Sequence, residues 1–492
     1  MESSQDNSYK SALKATSLFG GVQVFNIAIR IIRSKVVAVL LGPEGMGVVG
    51  LLRSTVELIS SVTGCGLGQS SVRNIAEANA SDDKEKVAVV ITIFRKLIWI
   101  TGIFGSIACA VFSPIISQIT FGNHDYTLAF TLIAISVLFL QLTAGQNALL
   151  QGLQKYKGLA KANVYGSAIG LLITLPLYYF WHLKAIVPVL LSTYIIGFLC
   201  AYIIARKISI PKVVTTKQQN MAIGRDMLKL GLLLSASGIL SQLTAYLVCV
   251  YIRKDGSLDD VGLYNAGFAI VNTYIGMIFT AMATDYYPRL AKVVNRNEDF
   301  YKTINQQAEI TLLLLMPLIV IFVIFIKPVV LILYSEKFIP IEGMVYWTIA
   351  AMTFKALAWS LSFGLVTKGE MKHFAFCEFG AIIYGFVFNI IGYHFWGLDG
   401  LGLSFFLMYV VYFIHLMSVF RIKYKFGFGN QTRKIALIAF AVVLMVVATK
   451  LLASSVVAYI IGSLVLIAVS YFSLKEINNR VGFESLLRKC KK

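Results

Sequence analysis

Charge is what this sequence has least of. Asp, Glu, Lys and Arg make up 14% of its 492 residues, where a soluble chain carries about a quarter. Acidic groups are scarcest, 24 against 44 Lys and Arg, for a net charge of +20. Cysteine is limited to Cys65, Cys109, Cys200, Cys249, Cys377 and Cys490. They show no CxxC spacing and no histidine at metal-ligand distance, so they are read as small apolar fillers, not disulfides or metal ligands. No Walker A motif is present, which argues against ATP hydrolysis. There is no DxD-like metal site, since Asp82-Asp83 and Asp259-Asp260 are isolated loop pairs. The period-two alternation of a membrane barrel is missing, and so is a loop long enough to hold an outer catalytic domain. Nothing here reads as an enzyme.

What fills the chain is apolar sequence: 58% of residues are hydrophobic and mean hydropathy is +0.76. Runs of about 20 apolar residues are the length of a membrane-crossing helix. They fall near 14–41, 47–72, 88–114, 126–151, 159–181, 185–205, 226–252, 261–288, 307–334, 341–367, 374–396, 399–420, 434–452 and 455–474. The expected fold is an all-α polytopic membrane protein of about 14 helices. The run after the polar start MESSQDNSYKSALK is too long for a signal peptide and lacks a clear small-x-small cleavage site, so it is expected to stay as the first helix.

With the N-terminus placed in the cytoplasm, 33 of the 44 Lys and Arg fall in loops on that side and 6 on the other. That asymmetry orients a membrane protein and accounts for the net charge without a nucleic-acid partner. Both termini are expected in the cytoplasm, with an even number of helices. An internal repeat is also legible. Gly47 matches Gly262, Arg73 matches Arg289, Pro114 matches Pro328, Gly152 matches Gly364 and Gly166 matches Gly380, at offsets from 212 to 216. Six helices per repeat give two lobes of the same orientation, related by an axis along the membrane normal. The expected division is an N-lobe 1–206, a cytoplasmic linker 207–225, a C-lobe 226–425, and two extra helices with a basic tail over 426–492.

The stretch LLGPEGMGVVGLLRS followed by GCGLGQSSVRNIAE, with GLQKYKGLAKAN and GLVTKGEMKHFAF after helices four and ten, resembles the bacterial O-antigen and polysaccharide flippases. These form part of the multidrug/oligosaccharidyl-lipid/polysaccharide exporter superfamily, and the resemblance covers about residues 10–425. It implies a V-shaped, two-lobed transporter in the bacterial inner membrane. That transporter moves a polyprenyl-diphosphate-linked oligosaccharide from the inner to the outer leaflet by alternating access. It further implies no bound cofactor, coupling to H+ or Na+, and polysaccharide polymerase or assembly proteins as partners. Many members have twelve helices; fourteen departs from that, although the peptidoglycan-precursor flippases of the superfamily have fourteen.

Five cationic residues belong to neither set of loops and lie inside apolar runs: Arg30, Arg33, Lys35, Arg53 and Lys355. Charge buried in lipid is costly unless it meets a wet cavity or a partner. A diphosphate head needs such a cavity lined by Arg and Lys. Arg30, Arg33, Arg53 and Lys355 are therefore the candidate cargo contacts. Each also has a plainer reading. Arg33 and Lys35 can snorkel to the outer headgroups, Arg53 can pair with Glu57 at i, i+4, and Lys355 can pair with another helix. Glu57, Glu378 and His415 are the candidate proton carriers; a lone histidine in a helix is more often a packed core residue. Trp359 shares a face with Lys355 and can stack on sugar or pack in the core. Gln23, Asn26, Asn147, Gln151 and Asn265 can bond sugar or neighbouring helices. Asp285 and Glu309 are expected to be solvated or paired with Arg289 or Lys302.

Three rivals stay open. A multidrug or toxin exporter of the same fold would want acidic groups deep in its cavity. A membrane glycan polymerase or ligase would want a large outer loop with clustered Arg and His. A non-transporting scaffold in a polysaccharide-assembly complex needs neither.

Overall fold

The computed structural model describes residues 2–81, 83–211 and 213–481; the side chains of 2–24, 284, 455 and 481 lie outside the description. All regular structure among the described residues is helical, and eleven continuous stretches are long and apolar enough to cross a membrane. Several of these fold back on themselves. Large apolar side chains such as Phe104, Leu172 and Leu444 are more than 60% exposed, as lipid-facing helices require. By contacts the chain divides into two units, Met1–Gly262 and Leu263–Lys492.

In the first unit, α1 (Glu2–Gly64) is broken at Gly42 (φ 69°, ψ −171°), and Pro43 starts its second arm. Only glycine takes that φ without strain, and proline suits the first turn of a helix because its missing N–H has no helical partner there. The second arm stops at Cys65 (φ 47°) and Gly66 (φ 65°), so the run expected over 47–72 is interrupted and α2 (Leu67–Ala80) starts afresh. The cause is a close approach of two backbones. A Cβ on Gly66 would run into the Gly231 carbonyl, and one on Gly231 into the Cys65 carbonyl.

Asp83 caps α3 (Lys84–Val111), accepting from the Glu85 and Lys86 N–H groups at 2.9 and 3.0 Å. The short α4 (Ser113–Phe121) and then α5 (Thr127–Gly152) follow. α6 (Tyr156–Trp181) and α7 (Ile186–Ala205) make a hairpin through a 3-10 turn, with Gly166 against Gly197. α8 (Lys217–Asp255) opens with a capping box, Thr216 with Gln219. It is much longer than the apolar run 226–252 and lies along the second arm of α1 and against α2. Leu67, Ile75, Phe94, Ile98, Leu142, Leu149 and Met227 form the core of this unit, each 5% exposed or less. Burying a side chain of this size contributes roughly 1.5–3 kcal/mol.

At the start of α9 (Leu258–Ile270) the chain returns to the break in α1. A Cβ on Gly47 would strike the Leu258 carbonyl, and one on Gly262 would strike the Pro43 carbonyl. Pro43 and Leu258 stand at the same offset in sequence as Gly47 and Gly262. The contact is thus reciprocal.

The second unit continues through a π-turn at Val271–Ile275 into α10 (Gly276–Lys292), then α11 (Asn297–Ile324), α12 (Ile326–Leu333) and α13 (Glu342–Thr367). α14 (Met371–Tyr424) is a hairpin broken at Gly397 (φ 55°). Its arms meet at Gly392 and Gly400, and the Ser404 hydroxyl donates to the Phe388 carbonyl at 2.5 Å. The two additional helices, α15 (Asn430–Leu452) and α16 (Ser455–Val481), dock on α11. Thr432 donates to Glu309 at 2.7 Å and to Asn305 at 2.7 Å, and Arg480 Nε donates to Glu309 at 3.1 Å while also pairing with Glu476. Glu309, expected near Arg289 or Lys302, therefore holds the tail helices; Asp285 does pair with Arg289, at 3.4 Å.

Candidate functional site

In the first unit the site is built on the two arms of α1 and on α6, α7 and α8. Arg53 and Glu57 sit one turn apart, so their side chains meet on one helix face; Nε to Oε1 is 2.6 Å. The other carboxylate oxygen accepts from the Gln242 amide of α8 at 3.2 Å. Tyr194 of α7 lies within electrostatic reach of Arg53, Glu57 and Arg33. The Arg53 side chain nevertheless stays 63% exposed and that of Glu57 34%. Groups on three helices thus meet where the guanidinium keeps free surface.

Arg33, on the first arm of α1, is half-buried and lies within electrostatic reach of Arg53 and Tyr194. Its Nε is buried without a hydrogen bond. Its guanidinium rests over Gly170 of α6, where a Cβ would come within 3.2 Å of it. The absent side chain is what gives the guanidinium its seat. Tyr178, Arg53 and Arg30 are its electrostatic neighbours, and Arg30 itself is exposed. Three guanidiniums therefore share a neighbourhood in which Glu57 supplies the negative charge. Like charges at such range repel unless water or an anion stands among them.

Lys35 is turned elsewhere. It lines an apolar depression of about 520 Å³ between α1 and α6 with Val39, Leu40, Pro176, Tyr179 and Phe180. Asn26, Asn147 and Asn265 each keep one buried amide atom without a hydrogen bond. Gln23 lies outside the described side chains.

In the second unit Lys355 of α13 is half-buried and flanked by rings, with Nζ 5.2 Å from the Phe279 centroid and 5.4 Å from that of Tyr409. None of the ion pairs among the described residues involves it. A cation over ring faces is stabilised by roughly 0.5–2 kcal/mol. Trp359, one turn on, packs among Phe279, Tyr286 and Phe363. Glu378 and His415 lie on opposite arms of the α14 hairpin. Glu378 accepts a hydrogen bond from Tyr412. His415 stands edge-on to Phe376 at 5.1 Å, beside Gly380. Among the described residues no cluster of His, Cys, Asp and Glu has the make-up of a metal site.

Sequence reasoning did not single out Gln242, Tyr178, Tyr194 or Tyr412. Gln242 was findable as a lone amide in an apolar run. The tyrosines look like any other membrane tyrosine until their neighbours are known.

The sequence pattern that defines the family described as "Polysaccharide biosynthesis protein" matches residues 36–342. The lipid III flippase of Escherichia coli K12 is 20% identical over 420 residues, which make up 83% of this chain and 98% of that protein. The lipid III flippase of Shigella flexneri matches to the same extent. Among solved structures, the lipid II flippase MurJ in an inward closed conformation superposes with a TM-score of 0.66 at 12% identity, over 95% of this chain and 99% of that one. An inward-facing multidrug resistance MATE family transporter of the MOP superfamily gives 0.63 at 16% identity, over 88% and 96%. At these identities the superpositions establish a shared all-helical exporter fold.

Proposed function

This chain belongs to the polysaccharide biosynthesis protein family, within the flippase branch of the exporter superfamily, and from that premise we propose that it flips a polyprenyl-diphosphate-linked oligosaccharide across the bacterial inner membrane. It is a multi-pass transporter and not an enzyme. The cargo is the repeat unit of an O-antigen or related surface polysaccharide, carried from the inner to the outer leaflet. Polymerase or assembly proteins would take it up there. The termini and the basic loops face the cytoplasm.

The observation that carries this reading is the grouping of Arg30, Arg33 and Arg53, in which Arg53 stays exposed and Glu57 supplies the negative charge. A diphosphate relieves their mutual repulsion and satisfies the free donors of Arg33 and Arg53. Before cargo arrives, Glu57 holds Arg53. When the diphosphate engages Arg53, Glu57 is released to Gln242 or takes a proton. Lys355, cushioned by Phe279 and Tyr409, is a second cation for the head. Glu378 and His415 are further places where a proton can be held, and H+ or Na+ is the coupling ion. Return of the empty, cationic carrier is favoured by an inside-negative potential, by about 2.3 kcal/mol per charge per 100 mV.

The test is transport of lipid-linked oligosaccharide in proteoliposomes, read by an outside probe of the sugar. Loss of a charge-assisted contact costs roughly 1.5–3 kcal/mol. Arg53→Ala and Arg33→Ala should therefore slow exposure at least tenfold, with Lys35→Ala near the wild type. Wild-type rates in all three variants would overturn the cationic site.

A further inference from the structure

We propose that the first unit carries a binding site for an anionic phospholipid, built on Arg95, Lys96 and Trp99 where α3 meets the membrane on its basic-loop side. Beyond Lys96, α3 has no further charge through Val111. Its outer face is apolar and open, with Ile100 62%, Phe104 65% and Ile107 58% exposed. Such a face contacts lipid tails. Arg95 and Lys96 are the last cations before it, both exposed, and Trp99 beside them is 48% exposed. A tryptophan at the junction of polar and apolar surface marks the headgroup level.

The place is shaped as well as charged. Thr92, Arg95, Lys96, Trp99 and Ile100 line an open depression of about 500 Å³. Arg95 and Trp99 also line a small, more enclosed pocket with Leu142, Gly145 and Gln146 of α5. At Gly145 α5 lies so close to α3 that a Cβ would press on Ile98 at 3.2 Å. Tyr202 of α7 is within electrostatic reach of Arg95. The Lys96 ammonium donates to the Thr215 hydroxyl at 2.8 Å, which ties the connecting segment before α8 along one edge. None of the ion pairs among the described residues involves Arg95.

Cations that only orient the chain need no groove. Here a guanidinium, an ammonium and an indole ring border one depression whose exit leads onto an acyl-chain surface. The matching ligand is a lipid with a phosphate and net negative charge. Thr92 and Gln146 offer little else to bond, too little for an oligosaccharide, so the occupant is a bilayer phospholipid and not the cargo.

The test uses the full chain in neutral detergent. Bound phosphatidylglycerol and phosphatidylcholine are counted by native mass spectrometry for the wild type, Arg95→Gln/Lys96→Gln, and Arg206→Gln as a same-side control. A basic residue at an anionic surface is worth roughly a fivefold factor in affinity. The double variant should therefore bind phosphatidylglycerol about thirtyfold more weakly, with phosphatidylcholine unchanged and Arg206→Gln like the wild type. Thermal stabilisation by phosphatidylglycerol should disappear in the same variant. Equal phosphatidylglycerol binding by wild type and double variant overturns the site. So does displacement of the lipid by millimolar inorganic phosphate, or by equimolar polyprenyl phosphate, which would assign it to free anion or to cargo. Loss of transport in the arginine variants of α1 leaves this result untouched, so the two proposals fail separately.

Discussion

Arg480→Ala should destabilise the second unit far more than any other single change in its tail. Arg480 sits between Glu309 of α11 and Glu476 of its own helix. Its side chain is 19% exposed and those of Glu309 and Glu476 are 10% and 24%. Removing one member of a buried ion pair costs roughly 3–5 kcal/mol, because the partner's charge stays behind unmatched. Alanine at 480 strands two carboxylates, and Glu309 keeps only the Thr432 hydroxyl. Glu309→Gln is milder. Glutamine still accepts from Thr432 and Arg480 keeps Glu476, so the loss is that of one charge-assisted bond, about 1.5–3 kcal/mol. At roughly 2–4 °C per kcal/mol for a unit of this size, Arg480→Ala lowers Tm by on the order of 10 °C and Glu309→Gln by about half of that. The assay is thermal unfolding of the purified protein in detergent, with exposed Lys475→Ala as control. A double-mutant cycle over Glu309 and Arg480 should show strong coupling. If Arg480→Ala unfolds no earlier than Lys475→Ala, the clamp does not hold α16 to α11 and the reasoning is wrong.

Other outcomes follow from single contacts. Gly66→Ala combines a left-handed φ with a clash on the Gly231 carbonyl; strain of that kind costs about 1–3 kcal/mol, so expression and Tm should both fall. Gly68→Ala, with nothing within 4 Å of the new Cβ, should raise Tm slightly through helix propensity. Lys355→Met keeps the packing against Phe279 and Tyr409, and should cut transport while leaving Tm within about 2 kcal/mol equivalent of the wild type; equal loss of both would make Lys355 structural. Glu370 is held below the usual carboxylate range, chiefly by Lys423 at 2.6 Å and also by His373 and Tyr424. Its folded-state pKa is depressed, so the stabilisation is present above the ordinary carboxylate range and is lost as pH falls through the lowered value. Amide exchange at 368–373 should stay slow to lower pH in the wild type than in Lys423→Met; identical profiles would exclude the contact in solution.

The helices were legible because apolar length is a sufficient signal for lipid, and the break at Gly42-Pro43 because its residues punctuate helices wherever they occur. The break at Cys65-Gly66 was not. It lies inside an apolar run, and its cause is Gly231, far along the chain. The same holds for the candidate site. The Arg53–Glu57 pair is written in adjacent turns, and Arg30 and Arg33 stand out as charge among apolar residues. Gln242 reaches Glu57 across 185 positions and Arg480 reaches Glu309 across 171, and no local pattern records either. Sequence exposed the costly residues; only packing could say which neighbour meets each of them.

The reciprocal contact of Gly47 and Gly262 has a consequence for how such a chain can change. Each glycine is required by the backbone opposite the other's helix, through Leu258 in one direction and Pro43 in the other. A side chain gained at either position spoils the approach for both, and a second change at the partner cannot restore it, because nothing is smaller than hydrogen. The rest of the chain is free to diverge, but at this crossing two distant codons are bound to a single shared choice.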